Sequence, residues 1–485
     1  MRLENLLQNI YEGDIDTHCR DLEISSICCD SRQVKKGSLF ITQKGSVYDG
    51  ADFIEKAIDQ GARVIVTDQE KRNFRSKEGV VILKVGDTFQ FLRDLAKRFY
   101  DHPSSQIKTI GVTGTNGKTT TVYLMEAILH ESEHSCGVIG TVNYRIGERV
   151  LPSKNTTPGF LDNQMLFREL VDEGVEYCLM EVSSHALDQG RIDLIDFKAA
   201  VFTNLTSDHL DYHGTQENYF SAKASFFTRL SSDALAVINI DDIFGRRLFS
   251  KTKSKIRTYG IHNNADVKAV DVKIGISATE FKLVADEGQV NIRTKLVGQF
   301  NVYNILAAAT ACLGEGISLD KIRKGIENLS CVPGRLQRVE CGQDYTIFID
   351  YAHTQDALEN VLTTIRSTVD AKIILVFGCG GNRDRTKRPM MGAVASRLAD
   401  FSVVTSDNPR NEDPQTIIDN IIEGFENDHY EVIVEREEAI KKSLSLARKG
   451  DVVLIAGKGH ETYQIFKDKT IHFDERQIIQ QFILC

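Results

Sequence analysis

The sequence contains no tryptophan and only 7 prolines in 485 residues. Sparse proline excludes an extended proline-rich chain and leaves room for uninterrupted helices and strands. Ten cysteines are present, yet no two stand in a Cys-x-x-Cys pair. That excludes the spacing of common zinc sites and of a dense disulfide scaffold, so free thiols in a reducing cytoplasm are expected. No apolar run approaches the roughly 18 residues of a spanning helix. The start, Met1-Arg2-Leu3-Glu4-Asn5, carries an acid and leads into no long apolar stretch, so neither a signal peptide nor membrane insertion is expected. Positive charge is not in excess: 59 Lys plus Arg against 68 Asp plus Glu leave a net charge of -9, which argues against a nucleic-acid partner held by bulk charge. What is present is 41% hydrophobic and 26% charged, the balance of a globular enzyme, with length for about three domains.

Short apolar runs at 109–112, 199–202, 236–239, 373–377, 401–404 and 452–455 have the length and composition of buried parallel strands. Turns or Gly-rich segments follow them, and helix-like stretches separate many. The predicted class is α/β with doubly wound sheets. Between about 266 and 297 the pattern alternates, as in Val270-Asp271-Val272-Lys273-Ile274, which predicts an antiparallel ribbon inserted in the central part. A polar, Pro-containing stretch near 101–105, and a Pro-Gly turn that ends a helical segment near 331–334, mark boundaries. The predicted domains are 1–103, 104–331 and 332–485.

Residues 111–120 read Gly-Val-Thr-Gly-Thr-Asn-Gly-Lys-Thr-Thr, between a β-branched strand and a helical segment. Glycines let backbone N–H groups curl around phosphate oxygens, and the helix N-terminus adds a favourable dipole. Lys118 would reach the β- and γ-phosphates and Thr119 would hold Mg²⁺. The spacing is shorter than the usual Gly-x4-Gly-Lys-Ser/Thr, because its first glycine would fall on Val112. Such a loop binds a phosphate chain without saying what is done with it.

Glu181 ends the apolar run Cys178-Leu179-Met180, where an α/β sheet places its ligands. It is a candidate Mg²⁺ ligand, or a helix cap or ion-pair partner. The stretch 203–214 follows the strand at 199–202 and carries Asp208, His209, Asp211 and His213, a donor set tolerable for Mg²⁺ or Mn²⁺. In Tyr219-Phe220-Ser221-Ala222-Lys223-Ala224-Ser225-Phe226-Phe227, helical spacing sets Lys223 within an aromatic stripe. It could snorkel to the surface. Burial would instead leave a neutral, nucleophilic amine able to capture CO₂ as a carbamate, an anionic metal ligand.

Taken together, the loop 113–120, Glu181-Val182-Ser183-Ser184-His185, Ser207-Asp208-His209-Leu210-Asp211, Asn301-Val302-Tyr303-Asn304, Pro333-Gly334-Arg335, Asp350-Tyr351-Ala352-His353 and Gly457-Lys458-Gly459-His460-Glu461 resemble the Mur ligases, ATP-dependent amide-forming enzymes of peptidoglycan synthesis. Within that family, Cys29-Asp30-Ser31-Arg32, Asn155-Thr156-Thr157-Pro158 and Asp407-Asn408-Pro409-Arg410 resemble the branch that adds a diamino acid to UDP-N-acetylmuramoyl-L-alanyl-D-glutamate.

The resemblance implies three domains: one for the UDP end of the substrate, a central P-loop domain for ATP, and a Rossmann-like one that brings the amino acid. It implies that Ser31, Ser46, Val47 and Tyr48 contact uridine. Asn155, Thr156, Thr157, Ser183, Gln189 and Arg191 would hold the muramoyl dipeptide. Gly114, Thr115, Asn116, Gly117, Lys118, Thr119 and Thr120 would cradle the phosphates, while Asn304, Arg335 and Asp350 would contact adenine, phosphate and ribose. Glu181, His209, Thr119 and a carbamylated Lys223 would hold the metal. Arg383, Asp407, Asn408, Pro409, Arg410, Gly457 and Glu461 would hold the diamino acid. Two positions depart from the family pattern: Gln355 stands where proline is common, and Asn382 where an acid is common.

The amino acid is the sharpest expectation. Diaminopimelate differs from lysine by a distal carboxylate, which a guanidinium fork such as Arg410 suits bidentately. The chemistry expected is phosphorylation of the D-glutamate γ-carboxylate by ATP and displacement of phosphate by the amine, with Lys118, Arg335 and Mg²⁺ offsetting the gathered negative charge. The competing readings are the same ligase using L-lysine, a folate polyglutamate ligase, and a nucleotide-gated binding module. A cytoplasmic monomer acting on small molecules is expected, with no nucleic acid bound.

Overall fold

The computed structural model describes residues 1–45, 48–69, 79–206 and 208–484. These pack as two compact units: Met1–Thr109 with Pro158–Glu176 and Gln189–Asp196, and Ile110–Thr157 with Tyr177–Asp188 and Phe197–Cys485. Among the described residues no helix is long and apolar enough to cross a membrane.

The first unit holds a four-stranded sheet in the order Ser26–Cys28, Ser38–Ile41, Val64–Thr67, Val81–Lys84, parallel throughout. Leu39, Ile41, Val64 and Val66 face a core that Leu3 and Leu6, the helix Thr88–Phe99 and Phe160 complete. Asp87 caps that helix by accepting from the N–H groups of Phe89 and Gln90, which satisfies two otherwise orphan donors.

The second unit contains an 11-stranded sheet. The P-loop strand Lys108–Thr113 lies between Phe197–Phe202 and Tyr177–Glu181 near its middle. These strands are apolar and buried over nearly their whole length, as parallel strands covered on both faces must be. The expected ribbon is present as Val267–Ile274, Thr279–Ala285 and Gly288–Thr294, paired antiparallel. It continues the edge of the same sheet through Lys255–Gly260. The helices Lys118–Glu131 and Gln299–Gly314 cover the sheet, and their buried aliphatic residues share one core with it.

A six-stranded sheet follows, in the order Gln337–Val339, Thr346–Asp350, Val452–Ala456, Ile373–Phe377, Phe401–Val404, Tyr430–Val432. All but the first strand run parallel, and separate apolar cores cover its two faces. The carboxyl ends of four neighbouring strands, at Asp350, Ala456, Phe377 and Val404, therefore open to one edge, the edge where α/β sheets bind ligands. Beneath that edge lies a fully buried ion pair. Arg436 Nε donates to Glu475 at 2.7 Å, and its other nitrogens donate to the carbonyls of Ala456 (2.8 Å) and Ser406 (3.4 Å).

Candidate active site

The loop after Lys108–Thr113 is built around two glycines in the left-handed region, Gly114 (φ 152°) and Gly117 (φ 88°). A Cβ at Gly114 would collide with Thr203 Oγ1, and one at Gly117 with Asn304 Oδ1. Only glycine lets the loop approach these neighbours. The helix Lys118–Glu131 begins directly after Gly117, so its first N–H groups point into the loop. Lys118 Nζ donates to the carbonyls of Gly114 (2.9 Å) and Thr115 (2.8 Å).

Glu181 ends the neighbouring strand and is 1% exposed. Its carboxylate accepts from the Thr119 hydroxyl at 3.0 Å, from the Thr141 N–H at 2.8 Å and from the Thr141 hydroxyl at 2.9 Å. The Thr141 and Thr156 hydroxyls lie 3.0 Å apart, and the Thr157 hydroxyl donates to the Glu181 carbonyl at 2.8 Å. The Ser183 N–H donates to Thr157 Oγ1 at 3.0 Å. Asn155 is fixed through its backbone to the Tyr144 hydroxyl. Thr156, Thr157, Ser183, Thr119 and Glu181 thus form one local hydrogen-bonded neighbourhood, with Asn155 next to Thr156 in the chain. Thr141, which ties it together, carries no motif in the sequence and was not anticipated.

Lys223 lies in the helix Gln216–Thr228, which Thr215 caps through the Asn218 N–H. Its side chain sits among buried Tyr219, Phe220, Phe226 and Phe227 and is itself 1% exposed. The snorkelling alternative is thereby set aside. Lys223 Nζ lies 4.5 Å from the Tyr219 ring centroid and donates to the Gly114 carbonyl at 2.8 Å, the oxygen that Lys118 also uses. Burial, then the neighbouring Lys118, pushes the Lys223 amine well below the usual lysine range. Burial also lowers Lys118, against the pull of Glu181. His209 (φ 55°) packs edge-on against the other ring neighbours, 6.1 Å from Tyr219 and 4.9 Å from His185. Burial holds its imidazole down at about 4, against the pull of Asp208.

A cavity of about 490 Å³ opens over this loop, lined among others by Gly117, Lys118, Glu181, Asn304, Arg335 and Asp350. Arg335 Nη2 donates to Thr119 Oγ1 at 3.1 Å, while its buried Nε has no partner. An unpaired guanidinium N–H beside a P-loop suits a phosphate oxygen. Asp350 ends its strand and accepts from the backbone N–H groups of Leu336 and Ala352; burial raises its carboxyl above the usual range. Asn304 Nδ2 donates to Asn301 Oδ1 at 3.1 Å, leaving its oxygen toward Gly117. Two nearby acids, Asp241 on this lining and Asp356 beside the loop, had no sequence signal. Asp241 accepts from the N–H groups of Ile261, His262 and Asn263 and from the Tyr303 hydroxyl. Asp356 accepts at 3.0 Å from both Asn116 Nδ2 of the loop and Thr206 Oγ1.

A second cavity, about 1170 Å³, is lined by Arg383, Asp407, Asn408, Arg410, Gly457 and Glu461, among others. It shares Asp208, His209, Tyr351, His353 and Thr354 with the first. Arg410 adopts φ 53° and its Nη1 donates to the Gly381 carbonyl at 3.0 Å; burial, then Arg383, depresses its guanidinium. The two departures fit locally. Gln355 opens the helix Gln355–Thr368, where proline is tolerated but not required. Asn382 takes φ 53°, a conformation asparagine accepts, and Glu412 supplies the nearby acid. The basic cluster at 383–388 is largely spent internally. Arg388 is buried against Glu412, Arg385 pairs with the same acid, and Lys387 donates to the His353 carbonyl.

Ser31, Gln189 and Arg191 belong to the first unit. Ser31 is buried in a short helical turn, and Arg191 Nε donates to Gln189 at 2.9 Å. Tyr48 is exposed, and Ser46 and Val47 lie outside the described residues. Pro409 continues the loop between Asn408 and Arg410, and Thr120 is buried in the first turn after the P-loop.

Three family models match the chain in order: Mur ligase family, catalytic domain over 23–100; Mur ligase middle domain over 112–312; and Mur ligase, glutamate ligase domain over 334–459. The chain is 45% identical over 485 residues to the UDP-N-acetylmuramoyl-L-alanyl-D-glutamate--2,6-diaminopimelate ligase of Clostridium botulinum, covering 100% of this chain and 99% of that one. It is 44% identical over 489 residues to the enzyme of the same name from Bacillus cereus, covering 100% and 98%. A solved structure of a ligase of that name superposes with a TM-score of 0.69 at 33% identity, covering 100% of this chain and 99% of that chain. The MurF ligase of Thermotoga maritima in complex with ADP shares the fold, with a TM-score of 0.65 at 20% identity over 96% of each chain.

Proposed function

The chain belongs to the Mur ligase family, and on that premise we propose that it joins meso-diaminopimelate to the D-glutamate of UDP-N-acetylmuramoyl-L-alanyl-D-glutamate, driven by ATP through an acyl phosphate, in cytoplasmic peptidoglycan synthesis. The observation that carries this reading is the junction of two cavities. One holds the P-loop, and the other holds a guanidinium pair beside two carboxylates; they meet at Asp208, His209, Tyr351, His353 and Thr354. That is the layout needed to activate a carboxylate on one side and deliver an amine from the other. The division into domains at 104 and 332 is part of the proposal, as is a monomeric state.

The roles follow from chemistry. A carboxylate resists attack by an amine until its oxygen becomes a leaving group. Lys118 and Arg335 offset the charge that gathers as phosphoryl transfer proceeds. The loop N–H groups hold the phosphates, and Asn304 and Asp350 orient the nucleoside. Asn155, Thr156, Thr157, Ser183, Gln189 and Arg191 bind the muramoyl dipeptide, and Ser31 with 46–48 binds its uridine end.

A divalent metal fits the donor set. Glu181 is a buried carboxylate whose hydrogen bonds, among the described residues, come from hydroxyls and an N–H, with Lys118 near enough to feel its charge, so its oxygens suit a divalent cation. Among those residues, the one group of three His, Cys, Asp or Glu ligand atoms close enough to share an ion is Glu126, His130 and Cys136, and Arg145 is paired with that glutamate. Glu181 and His209 would be joined by a further anionic ligand, which carbamylation of Lys223 would create, with Thr119 adding its hydroxyl. A divalent cation held by these residues would supply positive charge against the repulsion between phosphate and carboxylate oxygens.

Arg410 reads the distal carboxylate that lysine lacks, with Arg383, Asp407, Asn408, Pro409, Gly457 and Glu461 completing the pocket. Arg410→Ala is expected to raise the KM for diaminopimelate about 10- to 100-fold, the loss of a charge-assisted pair of about 1.5–3 kcal/mol, with little change for ATP. Steady-state kinetics with each substrate varied in turn checks this. Equal effects on both substrates would remove the clamp from Arg410.

A further inference from the structure

Lys458 lies between Gly457 and Glu461 with its side chain 0% exposed. A buried ammonium is tolerated only with partners of opposite charge and well-placed acceptors. Its three hydrogen-bond partners are all residues of the second cavity. Lys458 Nζ donates to Asn408 Oδ1 at 3.1 Å, to Glu461 Oε2 at 3.2 Å and to Asp407 Oδ1 at 3.4 Å. Asn408 Nδ2 in turn donates to Glu461 Oε2 at 2.9 Å, closing the network. Lys458 thus binds one oxygen of each carboxylate and leaves the other, Asp407 Oδ2 and Glu461 Oε1, without a bond to it. Asp407 Oδ2 lies 2.9 Å from where a Cβ on Gly457 would stand, so the glycine (φ 119°) is what lets this oxygen stay beside the cavity floor.

Asp407 and Glu461 contribute two negative charges and Lys458 one positive, so these three together carry one net negative charge. Arg410 and Arg383, on the same lining, contribute one positive charge each. The acids suit a ligand ammonium and the guanidinium groups a carboxylate, together a ligand end that carries both. Without Lys458 the same end would be one charge more negative and would suit a bare ammonium better.

We propose that Lys458 is a positioning residue that fixes Asp407, Asn408 and Glu461 and, by cancelling one of their two charges from behind the lining, sets the preference of the site for a zwitterionic side chain over a cationic one. The proposal rests on the reading of this cavity as the diamino-acid site.

The test is steady-state kinetics of the full chain with meso-diaminopimelate and with L-lysine, for wild type, Lys458→Met, Lys458→Gln and Lys458→Arg. The readout is the ratio of the two kcat/KM values. The ratio is expected to fall at least about tenfold in the two neutral variants and to be largely restored in Lys458→Arg, while the KM for ATP changes little. A purely structural lysine would lower both kcat/KM values together. An unchanged ratio in Lys458→Gln, which keeps a donor but not the charge, overturns the proposal. So does unfolding of both neutral variants by circular dichroism, which would leave Lys458 a structural role alone. Wild-type turnover with diaminopimelate in the same assay separates this proposal from the reading beneath it, since its absence contradicts the reaction itself.

Discussion

Lys223→Ala is expected to lower kcat at least about 10²–10³-fold, the scale of removing one preorganised electrostatic group from an active site, here an anionic metal ligand. The argument starts from an electrostatic conflict. Lys223 and Lys118 donate to the same Gly114 carbonyl, and Lys223 is buried in an aromatic stripe. Two ammonium groups on one oxygen repel, and burial removes the water that would screen them. On the proposed reading a neutral Lys223 amine resolves the conflict. Addition of that amine to CO₂, with loss of a proton, would give an anion, which would turn the repulsion toward Lys118 into attraction and supply a ligand to join Glu181 and His209. Wild-type enzyme stripped of bicarbonate should lose activity and regain it on addition, and Lys223→Ala should respond to neither treatment. A ¹³C carbamate resonance from labelled bicarbonate, absent in the variant, checks the same claim by a route independent of turnover. Full activity in bicarbonate-free buffer would contradict it.

Lys118→Ala is expected to reduce kcat/KM for ATP on the order of 10³-fold, with kcat carrying most of the loss. Lys118 Nζ rests on two loop carbonyls at the first turn of the helix, at the floor of the nucleotide cavity. Its compact charge is suited to following the γ-phosphate as it transfers. The loss should be similar with diaminopimelate or lysine offered, because the lysine acts on the phosphoryl group before the amine arrives. Phosphate release at varied ATP measures it. A rise in KM alone, with kcat intact, would assign Lys118 to nucleotide binding only.

The parts of the fold that were legible are those with one-dimensional signals. Ile373–Phe377 is wholly apolar, and Phe401–Val404 is apolar but for Ser402, because both faces of their sheet are covered, and such runs can be read directly. The alternation at 266–297 betrayed the antiparallel strands, though not that they extend the central sheet. The stripe 219–227, by its spacing alone, sets Lys223 among aromatics. The rest depends on contacts between residues far apart in sequence. Thr141 meets Glu181 across 40 residues, Asp356 meets Asn116 across 240, and Lys458 meets Asp407 across 51. No local pattern encodes such pairs. Likewise, no run of sequence announces that 158–176 and 189–196 pack with the first 109 residues. The choice of amino acid was legible only through resemblance, since an arginine in a turn, read alone, is as well explained by the Gly381 carbonyl it binds.

The measurement that tests the central claim most directly is phosphate release from ATP in the presence of Mg²⁺, bicarbonate and UDP-N-acetylmuramoyl-L-alanyl-D-glutamate, with meso-diaminopimelate or L-lysine as the acceptor and the product weighed by mass spectrometry. Release coupled to the diaminopimelate adduct, with little from lysine, is the predicted result. Release coupled to a lysine adduct instead, or no release with either, would contradict it.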